Sequence, residues 1–212
     1  MKTRLEIAAV RKTFGRHTVL DHAWLQVRSG EAVGLLGANG TGKTTLLRIA
    51  AGLVRPDAGG VRYPSVAPLT PPSLRYFGGE TTIPPDVRAH RWASLFGVVT
   101  GERRTIWRLS RGTRQSLGLR AVLAGPPADI LLLDEPWEGL DPSATKWLTD
   151  ALRNWTRKGS AILIASHRLY DLDSVCSRFV MLDRGRCHPL EPREEQPRLE
   201  QIEQAFMVGV HR

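Results

Sequence analysis

The 212-residue chain is short of cysteine, of acid relative to base, and of long apolar runs, and each shortage removes a class of protein. Cys176 and Cys187 form no disulfide framework and match no metal-ligand spacing. A cystine-stapled secreted scaffold and a zinc domain are therefore excluded, and a reducing compartment is expected. No stretch approaches the roughly 18 uninterrupted apolar residues that a membrane-crossing helix needs. The start, Met1-Lys2-Thr3-Arg4-Leu5-Glu6, meets an acid before any apolar run develops. We therefore expect neither secretion nor a membrane span. Internal repeats and low-complexity tracts are also missing. The deficit of acid leaves a formal net charge of +9, which points to nucleic acid, an anionic membrane surface or a phosphorylated ligand. Much of the excess lies in one segment, where Arg75, Arg88, Arg91, Arg103, Arg104, Arg108, Arg111, Arg114 and Arg120 outnumber Glu80, Asp86 and Glu102. The same run reads equally well as a solvated basic face.

What the chain does contain is Gly37-Ala38-Asn39-Gly40-Thr41-Gly42-Lys43-Thr44, the phosphate-loop pattern G-x-x-x-x-G-K-S/T at every fixed position. Glu31 to Leu36 before it reads as a buried parallel strand. Leu46, Ala50 and Leu53 after it recur at helical spacing. The glycines allow a tight turn whose N–H groups face inward, and the helix that follows turns its positive end to the same place. We expect a nucleoside triphosphate held by Gly37, Ala38, Asn39, Gly40, Thr41, Gly42, Lys43, Thr44 and Thr45, with Lys43 on the β- and γ-phosphates and the Thr44 hydroxyl on Mg2+.

Residues 3 to 10 and 19 to 27 alternate as two antiparallel strands, with Gly15 in the turn between them and Phe14 just before it. Phe14 is a candidate to stack on the base, the alternative being a packed turn aromatic. The helix after the loop should stop near Ala51-Gly52, and Gly59-Gly60 should mark a turn. Short strands are expected at 61 to 67, an edge strand because of Pro64, and at 73 to 79. Residues 85 to 125 read as a small helical lobe, with Trp92, Leu95 and Phe96 at helical spacing and Ser110 as the N-cap of a helix through Leu117 and Ala121. Ile130 to Leu133 is a buried-strand run that delivers Asp134 and Glu135 to the carboxyl end of a sheet, where ligands of parallel α/β folds collect. Asp134 is expected to organise the magnesium shell, and Glu135 to orient or deprotonate water. Asp141 and Pro142 open another helix through Leu148, Leu152 and Trp155. Ala161 to Ala165 is the next buried strand, and it brings Ser166 and His167 to the edge that holds Glu135. Leu172, Val175 and Cys176 continue as a helix, Phe179 to Leu182 as a strand, and Leu199, Ile202 and Phe206 as an amphipathic tail helix.

In this order the signals resemble the ATP-binding cassette (ABC) family of ATPases across nearly the whole chain. Gly37 to Thr44 is similar to the Walker A loop, Leu109 to Gln115 to the LSGGQ signature, Ile130 to Glu135 to Walker B with its catalytic glutamate, Gly139-Leu140-Asp141 to the D-loop, and His167 to the switch histidine. Phe14 matches the position of the adenine-stacking aromatic. The resemblance implies an α/β fold: a P-loop NTPase core with a parallel sheet, an N-terminal antiparallel β subdomain and a short helical subdomain, all in one domain over 1–212. Its core would be 1–80 and 126–212, and its helical signature part about 81–125. It implies ATP and Mg2+ as ligands, and a homodimer or heterodimer of cassettes closing head to tail. In such a pair Ser110 and Gly112 of one cassette meet the nucleotide on the partner's Walker A loop, and Asp141 lies at the same interface. His167 would sense the γ-phosphate. Hydrolysis would then drive a separate integral-membrane permease, with the cassette at the cytoplasmic face of the cell membrane.

Two departures stand out. The strand before the lobe ends Tyr76-Phe77-Gly78-Gly79-Glu80, with Gly79 at the position of the family's magnesium-touching glutamine, and the stretch from Phe96 to Leu109 is short for the family's helical lobe. Arg111 also replaces the first signature glycine, while Ser110 and Gly112 remain. Three functions compete: the ATPase subunit of an exporter-type transporter, with no specific nucleic acid partner; a soluble ABC ATPase acting on nucleic acid or ribosomes; and a P-loop small-molecule kinase. Against the second stand the single cassette and the missing coiled-coil insertion. The third conflicts with Asp134-Glu135-Pro136 and the signature.

Overall fold

Strands buried on both faces leave a sequence signature of unbroken apolar runs, and three such runs form the centre of the molecule. In the computed structural model, which describes residues 2–64, 71–79 and 83–190, they are β3 (Ala32–Leu36), β6 (Ile130–Asp134) and β7 (Ala161–Ala165). With β5 (Leu74–Phe77), β8 (Arg178–Asp183) and β9 (Arg186–Leu190) they make a six-stranded sheet in the order β5-β6-β7-β3-β8-β9. Every neighbouring pair is parallel except β8 and β9.

Alternate residues of these strands enter two different cores. Val33, Leu35, Ile130, Leu132, Leu163 and Val180 face α1 (Lys43–Ala50) and a second, three-stranded antiparallel sheet. Leu36, Leu131, Leu133, Ile162, Ile164 and Met181 face α4 (Pro142–Arg157) and the region of α5 (Leu169–Asp173). The antiparallel sheet has the order β2-β1-β4, built from β1 (Thr3–Phe14), β2 (His17–Arg28) and β4 (Ala58–Arg62). Both hairpin strands run further than their alternation suggests, because bulges at Ala9 and His22, each with positive φ, reset the register instead of ending it.

The helical lobe consists of α2 (Ala89–Ser94), a single 3-10 turn at Ile106–Arg108 and α3 (Arg111–Val122), around a small cluster of Ile83, Ala89, Trp92, Ile106, Leu109 and Leu117. Segments 85–89 and 104–107 pair beside each other, through Ile106 N donating to Val87 O and Ala89 N to Arg104 O, and so brace the turn that enters α3.

Several local expectations are corrected. Gly59-Gly60 is no turn: it lies inside β4, where Gly59 approaches the Ala9 carbonyl so closely that a Cβ would fall 2.2 Å from its oxygen. Accordingly β4 starts at Ala58 and ends at Arg62. Leu95 and Phe96 share helical spacing with Trp92 but lie past the end of α2 and are exposed, as Leu53 is past the end of α1. α5 closes at Asp173, so Val175 and Cys176 follow it as loop. β9 was not expected at all. The tail helix through Leu199, Ile202 and Phe206 lies outside the described residues, as do Glu80 and part of the expected strand 61–67.

Candidate nucleotide site

The carboxyl ends of β3, β6 and β7 are adjacent, and each delivers one part of the site. After β3 the chain turns through Gly37 to Gly42 into α1. Gly37 is indispensable to that turn, because a Cβ there would stand 2.6 Å from the Leu182 carbonyl oxygen and 2.7 Å from Thr41 Oγ1. Thr41 closes the loop by donating its hydroxyl to Ala38 O at 2.9 Å. Lys43 is buried and folds back into the loop, donating Nζ to Gly37 O at 2.7 Å and to Ala38 O at 3.1 Å. A phosphate within the loop would offer this ammonium better acceptors than neutral carbonyls do. Burial pulls the Lys43 pKa below its ordinary value, while the carboxylates of Glu135 and Asp134 oppose that shift. Asn39 and Gly40 form the exposed crest of the loop, and Thr45 sits in the first turn of α1.

Asp134 ends β6 beside this loop and accepts a hydrogen bond from the Thr44 side chain. Burial raises its pKa. The negative charge of Glu135 adds to the rise, while Thr44, Lys43 and Arg48 counter it. A half-buried carboxylate whose pKa burial and a second carboxylate raise favours a cation beside it, and the Thr44 hydroxyl supplies a second hard oxygen donor. That donor set fits Mg2+.

Glu135 adopts φ +46°, in the left-handed region that side chains other than glycine rarely enter. Its backbone N–H donates to Ala165 O at 2.8 Å, which ties the turn to the end of β7. Its Oε2 accepts from Ser166 Oγ at 2.9 Å and from the His167 backbone N–H at 3.3 Å, and lies 3.0 Å from His167 Nδ1. With a proton on Nδ1, His167 donates to this carboxylate. The sequence places both Ser166 and His167 at this edge but gives a role only to the histidine; the hydroxyl of Ser166 is the further contact that the structure adds.

The remaining candidates lie around this centre. Phe14 is half exposed at the tip of the β1–β2 hairpin, paired with His17 and with Lys12 Nζ 5.4 Å from its ring centroid. The hairpin passes the loop at Val19, whose side chain bounds Gly42, so the Phe14–His17 pair lies two strand residues, about 7 Å, beyond that contact. Gly79 follows the end of β5 by two residues, after Phe77 paired in register with Leu133, and brings no side chain to the site. Ser110 caps α3 by accepting from Thr113 N at 3.2 Å, and Asp141 caps α4 by accepting from Ala144 N at 2.8 Å. Gly112 presses against the D-loop backbone: a Cβ on it would lie 2.1 Å from Gly139 O. Arg111, the signature's departure, pairs with Glu138 at 2.9 Å. Gln115, which the sequence reading left without a role, is buried and reaches the same loop.

A glycine loop with an inward lysine, a carboxylate beside the loop's threonine, and a second carboxylate held by a histidine define a P-loop nucleotide hydrolase. Comparison with known proteins gives the family. The family model described as ABC transporter matches residues 20–138. The Nod factor export ATP-binding protein I of Paraburkholderia xenovorans is 31% identical over 215 residues, covering 86% of this chain and 68% of that protein. Its counterpart in Cupriavidus metallidurans is 32% identical over 213 residues, covering 88% of this chain and 70% of that protein. An uncharacterized ABC transporter ATP-binding protein of Bacillus subtilis is 29% identical over 211 residues, with 88% and 69% covered. This chain thus spans about two thirds of the length of these relatives. Two solved structures share the fold: the ATP-binding subunit of an ABC transporter, with TM-score 0.73, 23% identity and 98% of this chain and 95% of that one covered, and a nucleotide-free ATP-binding cassette from an ABC transporter, with TM-score 0.73, 16% identity and 98% and 97% covered. The chain belongs to the ABC transporter family and is an ATP-binding cassette ATPase.

Proposed function

We propose that the chain is the ATP-hydrolysing subunit of an exporter-type transporter, working at the cytoplasmic face of a membrane on a separate permease. Among the described residues no helix is long and apolar enough to cross a membrane, and the relatives' names, which speak of export, support the direction. One observation carries the catalytic reading: Lys43, at the start of the helix after β3, and Asp134 and Glu135, at the end of β6, converge across β7, with Glu135 fixed by Ser166 and His167.

In this reading Lys43 and the backbone N–H groups of the Gly37–Thr44 loop neutralise the β- and γ-phosphates. Thr44 and Asp134 would hold Mg2+, which would supply charge neutralisation for the transferred phosphoryl group. Glu135 accepts the proton of the attacking water, and the His167 contact keeps its carboxylate pointed at that water. Phe14 packs on the adenine. Two cassettes pair head to tail, with Ser110 and Gly112 of each addressing the other's nucleotide and Asp141 beside them, and the whole of 1–212 acts as one domain.

Much of the basic segment serves the chain itself. Arg75 caps carbonyls at the end of α3, Arg104 pairs with Glu102, Arg111 with Glu138, and Arg114 donates to Trp107 and Leu109 carbonyls. Arg108 and Arg120 lie over the rings of Trp107 and Trp147. Arg88, Arg91 and Arg103 remain exposed, a surface suited to the permease or anionic lipid rather than to base recognition.

Glu135→Gln tests the assignment. The amide keeps the shape but cannot take a proton, so ATP binding should stay within about twofold while turnover falls at least about 100-fold, the lower end of what a positioned general base contributes. Turnover at the wild-type rate would refute it.

A further inference from the structure

The conformation of Glu135 has a support that lies in the lobe and not in the core. Gln115, on the second turn of α3, is 5% exposed and points its amide into the turn after β6. Its Nε2 donates to Glu135 O at 2.9 Å and to Pro136 O at 3.2 Å. These carbonyls belong to the two peptide groups that follow the left-handed Glu135. On the other side of the residue, Glu135 N is held by Ala165 O. The backbone at Glu135 is therefore gripped from β7 at its N–H and, at its carbonyl, by the signature helix together with Glu138 N at 3.2 Å within the turn. Pro136 brings no N–H to the turn, so no main-chain bond from that residue can replace the amide of Gln115.

We infer that Gln115 is a positioning residue for ATP hydrolysis, holding Glu135 in its strained, water-facing conformation through two backbone carbonyls. The inference rests on the reading of Glu135 as the group that takes the proton from water. Two further contacts fasten the same stretch of α3 to the same loop: Arg111 to Glu138, and Gly112 against Gly139. Gln115 differs from them in reaching the peptide of the catalytic residue itself. Ser110, Gly112 and Gln115 lie within two turns of one helix, so a shift of the signature turn is carried rigidly to the Glu135 carbonyl. The bond thus connects the part of the lobe that addresses one nucleotide to the glutamate that serves the other.

The test uses the full chain and measures three quantities: kcat for ATP, the dissociation constant of ATP, and the thermal midpoint. Gln115→Leu removes both donors while keeping the bulk. It should lower kcat about tenfold or more, as expected when Pro136 O loses its buried donor and Glu135 O is left to the Glu138 N–H, with ATP affinity changed less than about twofold. Gln115→Glu supplies a signature that a packing role does not produce. Ionised, it cannot donate and faces two carbonyl oxygens; protonated, it donates one bond. Its burial against acceptors raises its pKa, so the ratio of its kcat to that of the wild type should rise as pH falls from about 8 to about 6. Full kcat in Gln115→Leu overturns the inference. So does a flat ratio for Gln115→Glu in chain shown to be folded at both pH values, and this second variant decides alone if the leucine variant does not fold. Glu135→Gln separates the two levels of the argument. If it retains turnover, the reading of Glu135 fails and takes the inference with it; if it is inactive while Gln115→Leu turns over normally, only the role of Gln115 falls.

Discussion

Around the Gly37 loop the functional side chains follow the ends of strands whose two faces are both covered, either directly, as Asp134, Glu135 and His167 do, or on α1, as Lys43 and Thr44 do, whereas the lobe that carries Ser110 and Gly112 has a small cluster of its own and leaves Leu95, Phe96, Val99 and Trp107 exposed. The core places its groups by packing. Displacing Asp134 or His167 would mean shifting a buried strand against two neighbours in register. The lobe lacks the apolar area to be placed that way and is fastened by polar contacts at both ends of α3. At the C-terminal end Arg75 donates to the carbonyls of Val122, Ala124 and Pro126. At the N-terminal end Gln115, Arg111 and Gly112 meet the loop from Glu135 to Gly139. A few directional bonds can be exchanged for others, while a dense core cannot be repacked without loss, so the difference makes the lobe the part suited to move during turnover.

The largest effect expected on this contrast comes from the core. Lys43→Ala removes charge-assisted contacts to phosphate and should weaken ATP binding about 10- to 100-fold with turnover lost, while α3 keeps its hydrogen-exchange protection. Calorimetric titration with ATP measures it; unchanged affinity would break the assignment of the loop. Next is Arg75→Ala, which strips the C-terminal fastening of the lobe and should lower stability by about 1 to 3 kcal/mol. Faster amide exchange should be confined to α3 and spare α1 and β3. Equal acceleration throughout would show that the lobe is no separate unit.

The smallest effect is a gain. Burial raises the folded-state pKa of Asp134 above its ordinary value of 3.8, so any stability linked to it is fully present below that value and lost as pH rises through the raised one. At neutral pH the ionised side chain is a burden on the ligand-free protein. Asp134→Asn should therefore raise the ligand-free thermal midpoint by about 1 to 4 °C, with the Mg2+ dependence of nucleotide binding lost. A lowered midpoint would mean that the contacts with Thr44 and Lys43 outweigh the burial.

The same contrast decides what was legible in the sequence. β3, β6 and β7 announce themselves because burial on both faces demands unbroken apolar runs, and the residues that follow them fall on one edge by sequence alone. The bulges at Ala9 and His22 hid the length of the hairpin, since a positive φ shifts the alternation by a residue. β9, Arg186-Cys187-His188-Pro189-Leu190, is an antiparallel edge strand with mostly exposed residues and a proline, so it has no pattern to read. Helical spacing misled at Leu95 and Phe96 because spacing records a face and says nothing about where a six-residue helix stops. Gln115 and Arg75 were opaque for another reason: their partners are backbone carbonyls, which every residue has.

The central claim is that core and lobe of one chain serve different nucleotides, and complementation tests it most directly. Lys43→Ala disables the loop, and Ser110→Arg disables the signature. In a head-to-tail pair of these two variants one site carries both defects and the other neither. Each variant alone should be inactive. Mixed in equal amounts, they should recover ATP turnover to about a quarter of the wild-type rate, because half of the random pairs are mixed and each mixed pair has one intact site. A mixture as inactive as its components would contradict the account.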